Sequence, residues 1–213
     1  MRTAVIALTT SLIFTAAAAA AAAEEKGFTS LFNGKDLTGW TKAQENEDTF
    51  SIKDGAIVAN GPRCHLYYTG TFQNHDFKNF ELKVDVMTQP VSNGGIYFHT
   101  AYQEKGWPAK GFESQVNNTH GDWRKTGSLY EVEDQKEILA QDGKWFTERI
   151  VVRDKHVTIY VDDKKAAEWT QPDDWKGTKD FAERRVDHGT IALQGHDPKS
   201  TVAYKNIRIK ILK

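Results

Sequence analysis

"FELKVDVMT", residues 80 to 88, alternates without a break. Leu82, Val84 and Val86 fall on one side of an extended chain, and Glu81, Lys83, Asp85 and Met87 on the other. A helix would scatter these residues around its axis, so the stretch reads as a strand with one face for a core and one for water. The same reading extends outward. "TFSIKDGAIVAN" (49–60) alternates on both sides of Asp54-Gly55, a pair suited to a two-residue hairpin turn. "WFTERIVVRDKHVTIYVDD" (145–163) turns back on itself around Arg153 to His156 and gives a second hairpin. "GGIYFHTAY" (94–102), "GFESQVNN" (111–118), "SLYEVED" (128–134), "GTIALQGH" (189–196) and "TVAYKNIRIKIL" (201–212) add further short strands bounded by Gly, Asn, Asp or Pro. The helical candidate is Pro172 to Arg185, where Pro and paired Asp could open a short helix that Gly177 weakens. Many short strands at regular spacing predict an all-β chain folded as one antiparallel β-sandwich of the jelly-roll kind.

The first 23 residues, MRTAVIALTTSLIFTAAAAAAAA, carry one early Arg, an apolar run and small residues before Glu24-Glu25. That is the pattern of a secretory signal cleaved near Ala23, which predicts a periplasmic or secreted protein whose domain covers 24–213, with no membrane insertion after cleavage. The single cysteine, Cys64, excludes an intramolecular disulfide and lies far from the expected new N-terminus, so stability must come from packing. It reads as an exposed thiol with no base trained on it. With 28 basic and 29 acidic residues intermixed, no field favours nucleic acid or an anionic membrane surface. Eleven per cent aromatic residues, six of them Trp, suit both a β core and stacking against sugar rings.

Three strands present polar groups where a sandwich needs no core. If Ile96 and Phe98 face in, Tyr97 and His99 face out; if Phe112, Ser114 and Val116 face in, Glu113, Gln115 and Asn117 face out. Ile191 and Leu193 likewise leave Gln194 and His196 outside. Were these strands neighbours, the side chains would form one polar floor, and Gly94-Gly95 would leave room for a ligand or backbone to approach. A plain solvated face is the competing reading, but His, Glu, Gln and Tyr are not the Lys, Thr and Ser expected there. His65, His75, His120, His156 and His188 read as surface or turn histidines, and no metalloprotease helix, Cys pair, phosphate loop or nucleophile elbow is present. "FTSLFNGKDLTGW" (28–40) reads as a structural plug, with a turn at Asn33-Gly34 and Phe32, Leu37 and Trp40 entering a core edge.

"SLFNGKDLTGW", "NFELKVDV", "NGGIYFHT", "GFESQV", "TGSLYEV" and "IALQGHDPKSTVAYKNIRIK" together resemble the 3-keto-disaccharide hydrolase domain family, from about Phe28 to Lys210. The resemblance implies the concanavalin A-like lectin/glucanase sandwich and cleavage of glycosides already oxidised at C3 of the sugar. A C3 ketone acidifies the C2 proton, so the C1 substituent can leave by elimination and water can add afterwards. Such chemistry needs a base, an enolate stabiliser and an acid for the leaving oxygen. On this basis Glu113 or His99 is expected as base and His196 as acid or enolate stabiliser. Tyr97, Gln115 and Gln194 are expected to orient the sugar, and Tyr130 and Trp107 to stack on it. Alternatively Glu113 with one or both of His99 and His196 could hold a divalent cation. No organic cofactor is expected. "YEVEDQKE" does not reproduce the Glu-x-Asp-x-x-Glu strand of endoglucanases with this fold, because the last position is Lys136. His99 stands where many members carry Arg, and Asn117-Asn118 where Asp is common. A non-catalytic, lectin-like carbohydrate-binding module is therefore the alternative from another class, and a purely structural envelope domain a third.

Overall fold

The computed structural model describes residues 25–213; the signal expected over 1–23 lies outside them. Thirteen strands follow one another: β1 (Thr29–Ser30), β2 (Trp40–Lys42), β3 (Phe50–Lys53), β4 (Ala56–Ala59), β5 (Cys64–Tyr68), β6 (Phe80–Thr88), β7 (Gly94–Thr100), β8 (Phe112–Val116), β9 (Phe146–Arg153), β10 (His156–Val161), β11 (Lys164–Thr170), β12 (Thr190–Gly195) and β13 (Val202–Ile211). They form two antiparallel sheets. The larger runs β11-β10-β9-β6-β13-β4-β3, with β1 also paired to β13, and the smaller runs β2-β5-β12-β7-β8. The alternating strand, β6, lies between β9 and β13, and its Phe80, Leu82, Val84 and Val86 are fully buried. The inward residues of the smaller sheet, among them Ile96, Phe98, Phe112, Ile191 and Leu193, belong to the same core. No helix among the described residues is long and apolar enough to cross a membrane.

Local chemistry explains the connections. Asp54 and Gly55 both adopt positive φ, 52° and 74°, the requirement of a two-residue turn matched to strand twist. The opening segment is the plug expected of it. Asn33 Oδ1 accepts the amides of Lys35 (2.8 Å) and Asp36 (3.0 Å), and the buried indole of Trp40 donates to the Leu31 carbonyl at 2.8 Å.

Three expectations do not hold. Residues 172–185 are turns rather than a helix: Gly177 sits at φ +85°, where the backbone of Phe181 and Ala182 comes within 2.7 Å of any Cβ. The segment is instead anchored by Trp175, whose ring meets Trp169 edge-on and whose Nε1 donates to the Arg184 carbonyl. "SLYEVED" makes only isolated bridges at Leu129, because Glu131 turns to φ 62° and ends the extension. Cys64 is buried in β5, and burial pushes its thiol up to about 11, so it is not an exposed nucleophile. β5 itself carried no signal in sequence, since "CHLYY" is buried on both faces and has nothing to alternate.

One polar group crosses into the core. Glu148 of β9 is fully buried and accepts a 2.6 Å hydrogen bond from Ser114 Oγ of β8, joining the two sheets. Burial pushes its carboxyl up to about 8, with the charge of Glu113 acting in the same direction. The folded protein therefore keeps this proton over a range in which the unfolded chain, titrating near 4.5, has lost it. Stability from this group is full below that pH and falls as pH rises towards about 8. Thermal melts at pH 5 and pH 8 should show Glu148→Gln losing less stability with pH than the wild type; parallel losses would contradict the assignment.

Candidate active site

The outer face of the smaller sheet carries two rows of side chains. Register places His65, Gln194, Gly95 and Gln115 side by side across β5, β12, β7 and β8, and Tyr67, Ala192, Tyr97 and Glu113 in the next row. The condition for one floor is met, because the three strands with polar faces, β12, β7 and β8, are consecutive. A cavity of about 180 Å³ opens on this floor, and it is lined by seven of the eight expected residues: Tyr97, Trp107, Glu113, Gln115, Tyr130, Gln194 and His196.

Glu113 is the centre of the floor. Its Oε2 accepts from Tyr97 OH at 2.8 Å and its Oε1 from Gln194 Nε2 at 2.9 Å. Assigning the Gln115 amide so that its nitrogen faces the Gly94 carbonyl (2.9 Å), the orientation that satisfies its neighbours, brings that nitrogen within 3.2 Å of the same Oε1. Gly95 makes this possible, because a Cβ there would stand 2.3 Å from Oε1. The glycine expected to admit a ligand thus admits the carboxylate. Burial pushes Glu113 up to about 7, while the Tyr97 hydroxyl, the Arg184 charge and Gln194 pull the other way. A carboxyl titrating near neutrality can both take and return a proton. Tyr97 is raised far above its ordinary range, first by burial and then by the charge of Glu113, so it stays a neutral hydrogen-bond donor.

His196 also lines the cavity and is oriented by its neighbour: Nδ1 lies 2.9 Å from Asp197 Oδ2. Asp197 is itself fixed by Ser200 Oγ and the Lys199 amide and held down at about 2 by those contacts, against the upward pull of partial burial. With Nδ1 donating to the carboxylate, Nε2 is the nitrogen left for proton transfer. The ring packs against Trp107 (5.3 Å) and His120 (5.6 Å). Trp107, under the Arg63 guanidinium, also covers His65.

His99 is not on this floor. It adopts φ 53° at a bulge, where β7 slips one residue against β12 between Thr190 and Ala192, and alternation therefore fails at this position. Its ring packs on Phe80 and Phe98, its Nε2 lies 2.9 Å from the Lys78 carbonyl, and its Nδ1 accepts the Asp187 amide. Burial lowers it to about 4, so it is a neutral structural cross-link. Asn117 is also structural: its Nδ2 donates to the carbonyls of Asp122 and Arg124 and closes the loop after β8.

His120, His196 and Asp197 have ligand atoms within 4.8 Å of one another, a two-imidazole, one-carboxylate set suited to a divalent metal. Part of this set is already engaged within the protein, since His120 Nδ1 accepts the Asp122 amide and Asp197 pairs with His196 and Ser200. Among the described residues Glu113 and His99 do not join such a group, so a cation shared between them is not what the geometry offers.

The sequence reading passed over several contributors. His65, expected at the surface or in a turn, is instead buried in β5 beneath Trp107 and Tyr97, and burial lowers it to about 3. Asp197 stood in the quoted "QGHDPKS" stretch as a carboxylate next to the histidine, and that adjacency was a usable signal. Arg184, buried behind Tyr130 and Phe181, lay in the segment read as a helix and carried none.

Solved structures share this architecture. A Parabacteroides distasonis protein provisionally classed as a glycosyl hydrolase aligns with a TM-score of 0.74 at 25% identity, over 88% of this chain and 94% of its own. The carbohydrate-binding module CBM66 of Bacillus subtilis aligns at 0.57 and 14% identity, over 81% and 95%. A non-specific endo-β-1,3(4)-glucanase aligns at 0.55 and 13% identity, over 88% and 92%. The last two show the fold alone, the lectin/glucanase jelly roll. No curated protein matches the chain. The sequence pattern that does match spans residues 27–210, and the chain accordingly belongs to the 3-keto-alpha-glucoside-1,2-lyase-like domain family, a carbohydrate-active family.

Proposed function

We propose that the protein is an exported enzyme that cleaves 3-keto-disaccharides or other 3-keto-glycosides by elimination across C1 and C2, followed by addition of water. The observation that carries the reading is Glu113, a buried carboxyl brought to about 7 on the floor of a cavity that an aspartate-oriented histidine also lines. In the first step Glu113 takes the C2 proton, the C2–H pair forms the C1=C2 bond, and the C1–O bond breaks. The departing oxygen takes a proton from His196 Nε2, and the Asp197 carboxylate stabilises the imidazolium that this requires. Water then adds across the double bond to release the 3-keto monosaccharide. Gln115 and Gln194 orient the sugar, with Trp107 and Tyr130 as apolar walls.

Incubating the purified mature protein with a 3-keto-disaccharide and with its unoxidised parent, with and without chelator, tests the reading. Release of monosaccharide from the keto sugar alone is expected, and cleavage of neither sugar would overturn it. Loss of activity on chelation would move His196 from proton transfer to metal binding, with His120 and Asp197 as its partners. The aromatic walls and the resemblance to a carbohydrate-binding module favour one other reading, a lectin-like site. That reading predicts saturable binding without turnover and indifference to Glu113→Gln. Export is tested by the N-terminus of the native protein, expected at or near Glu24.

A further inference from the structure

Arg184 heads the largest fully buried side chains among the described residues. It has no carboxylate within salt-bridge distance among them, an arrangement that is strongly unfavourable for a charge unless something compensates it. Two contacts clamp the guanidinium: Nη1 donates to the Tyr130 carbonyl at 2.8 Å, and the Phe181 ring lies 3.8 Å away. Nε and Nη2 find no acceptor among the described residues. Both clamping residues line the cavity, so the charge is fixed immediately behind its wall. The acids on the floor whose ionisation it favours are Tyr97 and Glu113.

We infer that Arg184 is a positioning residue of the cavity: clamped by Tyr130 and Phe181, its buried guanidinium is the counter-charge that holds Glu113 as a carboxylate able to take a proton. The catalytic consequence rests on the reading of Glu113 as base; the electrostatic one does not. A fixed charge in a dry wall is screened little by salt and needs no reorganisation when charge moves on the floor. It also balances the opposite influences on Glu113. Burial and the charge of Asp122 favour the neutral acid, and Glu148 stands behind the sheet, while Tyr97, Arg184 and Gln194 favour the carboxylate. Tyr130 and Tyr204 also feel the charge of Glu113 and are raised above their ordinary range, chiefly by burial; His65 packs on Tyr97 at 5.4 Å and Arg124 lies over the Tyr130 ring.

The test is a carbon-13 titration of the side-chain carboxyls in glutamate-labelled protein, with the Glu113 signal assigned by its loss in Glu113→Gln. The midpoint in the wild type is expected at about 7. In Arg184→Met it should rise by roughly one unit or more, and in Arg184→Lys, which keeps the charge, most of that rise should be absent. The acid limb of kcat/KM on a 3-keto-disaccharide should move with the midpoint, whereas a merely structural role would lower kcat and leave the limb in place. An unmoved Glu113 midpoint in folded Arg184→Met overturns the inference. Should that variant fail to fold, the Arg184 nitrogen-15 side-chain signals of the wild type decide, because they must inflect at the Glu113 midpoint and a flat response overturns the inference equally. A shifted midpoint in a protein that cleaves no keto sugar would leave the counter-charge standing and remove the proposed function.

Discussion

Glu113→Gln is expected to lower turnover of a 3-keto-disaccharide by about 10²- to 10⁴-fold while substrate binding persists, the usual range for removing a general base. The substitution keeps the side chain's length and shape. Its amide oxygen can still accept from Gln194, and the Tyr97 hydroxyl can rotate to accept from the new nitrogen. What it removes is the ability to accept the C2 proton. The pH profile should change with it. Wild-type kcat/KM rises with pH through about 7, as the carboxyl loses the proton that blocks it. The residual rate of the variant should lack that limb. A variant within tenfold of wild type would sink the assignment and leave the lectin-like reading in possession of the site.

How the two halves of this prediction were legible differs. Alternation alone placed Tyr97, Glu113, Gln115 and Gln194 on one face, because a strand offers each residue only two directions and the inward set was plainly apolar. The same rule failed two residues beyond Tyr97. The bulge at His99 inserts an extra residue against β12 and turns its side chain onto Phe80, an event that depends on pairing with a distant strand. β5 was invisible for the opposite reason: it is buried on both faces, so His65 in the floor's own row had no periodicity to reveal it. Arg184 reaches the cavity from a segment of turns, and only the tertiary path of residues 171–189 brings it behind Tyr130. Regular elements were readable from local pattern, whereas residues delivered by loops and bulges were set by contacts far away in sequence.

Gly94 and Gly95, adjacent in sequence, should separate activity from stability when each is changed to Ala. At Gly95 the new Cβ would lie 2.3 Å from Glu113 Oε1 and 2.9 Å from its Cγ and Cδ, on the cavity side of the sheet. The carboxylate cannot swing aside freely, since Tyr97 and Gln194 hold it from two directions. Displacing it by even an ångström spoils the approach to C2, and a loss of roughly 10²-fold in kcat/KM is expected. The strained Tyr97 and Gln194 hydrogen bonds should cost about 1–2 kcal/mol of stability, out of proportion to so large a loss of activity. Gly95 has no positive φ to lose, the clash falls on a side chain rather than backbone, and replacing a strand glycine restricts the unfolded chain. At Gly94 the Cβ points the other way, into the core, 2.6 Å from Tyr204 OH and 3.1 Å from Val202 Cγ2. Overpacking there should lower stability by about 1–3 kcal/mol, read as a fall in melting temperature, with the activity of the folded fraction largely retained. If both variants lost activity in proportion to stability, the glycines would be serving the fold alone. A Gly95→Ala enzyme within threefold of wild type would show that Glu113 does not need the position it occupies, and the base would have to be sought elsewhere on the floor.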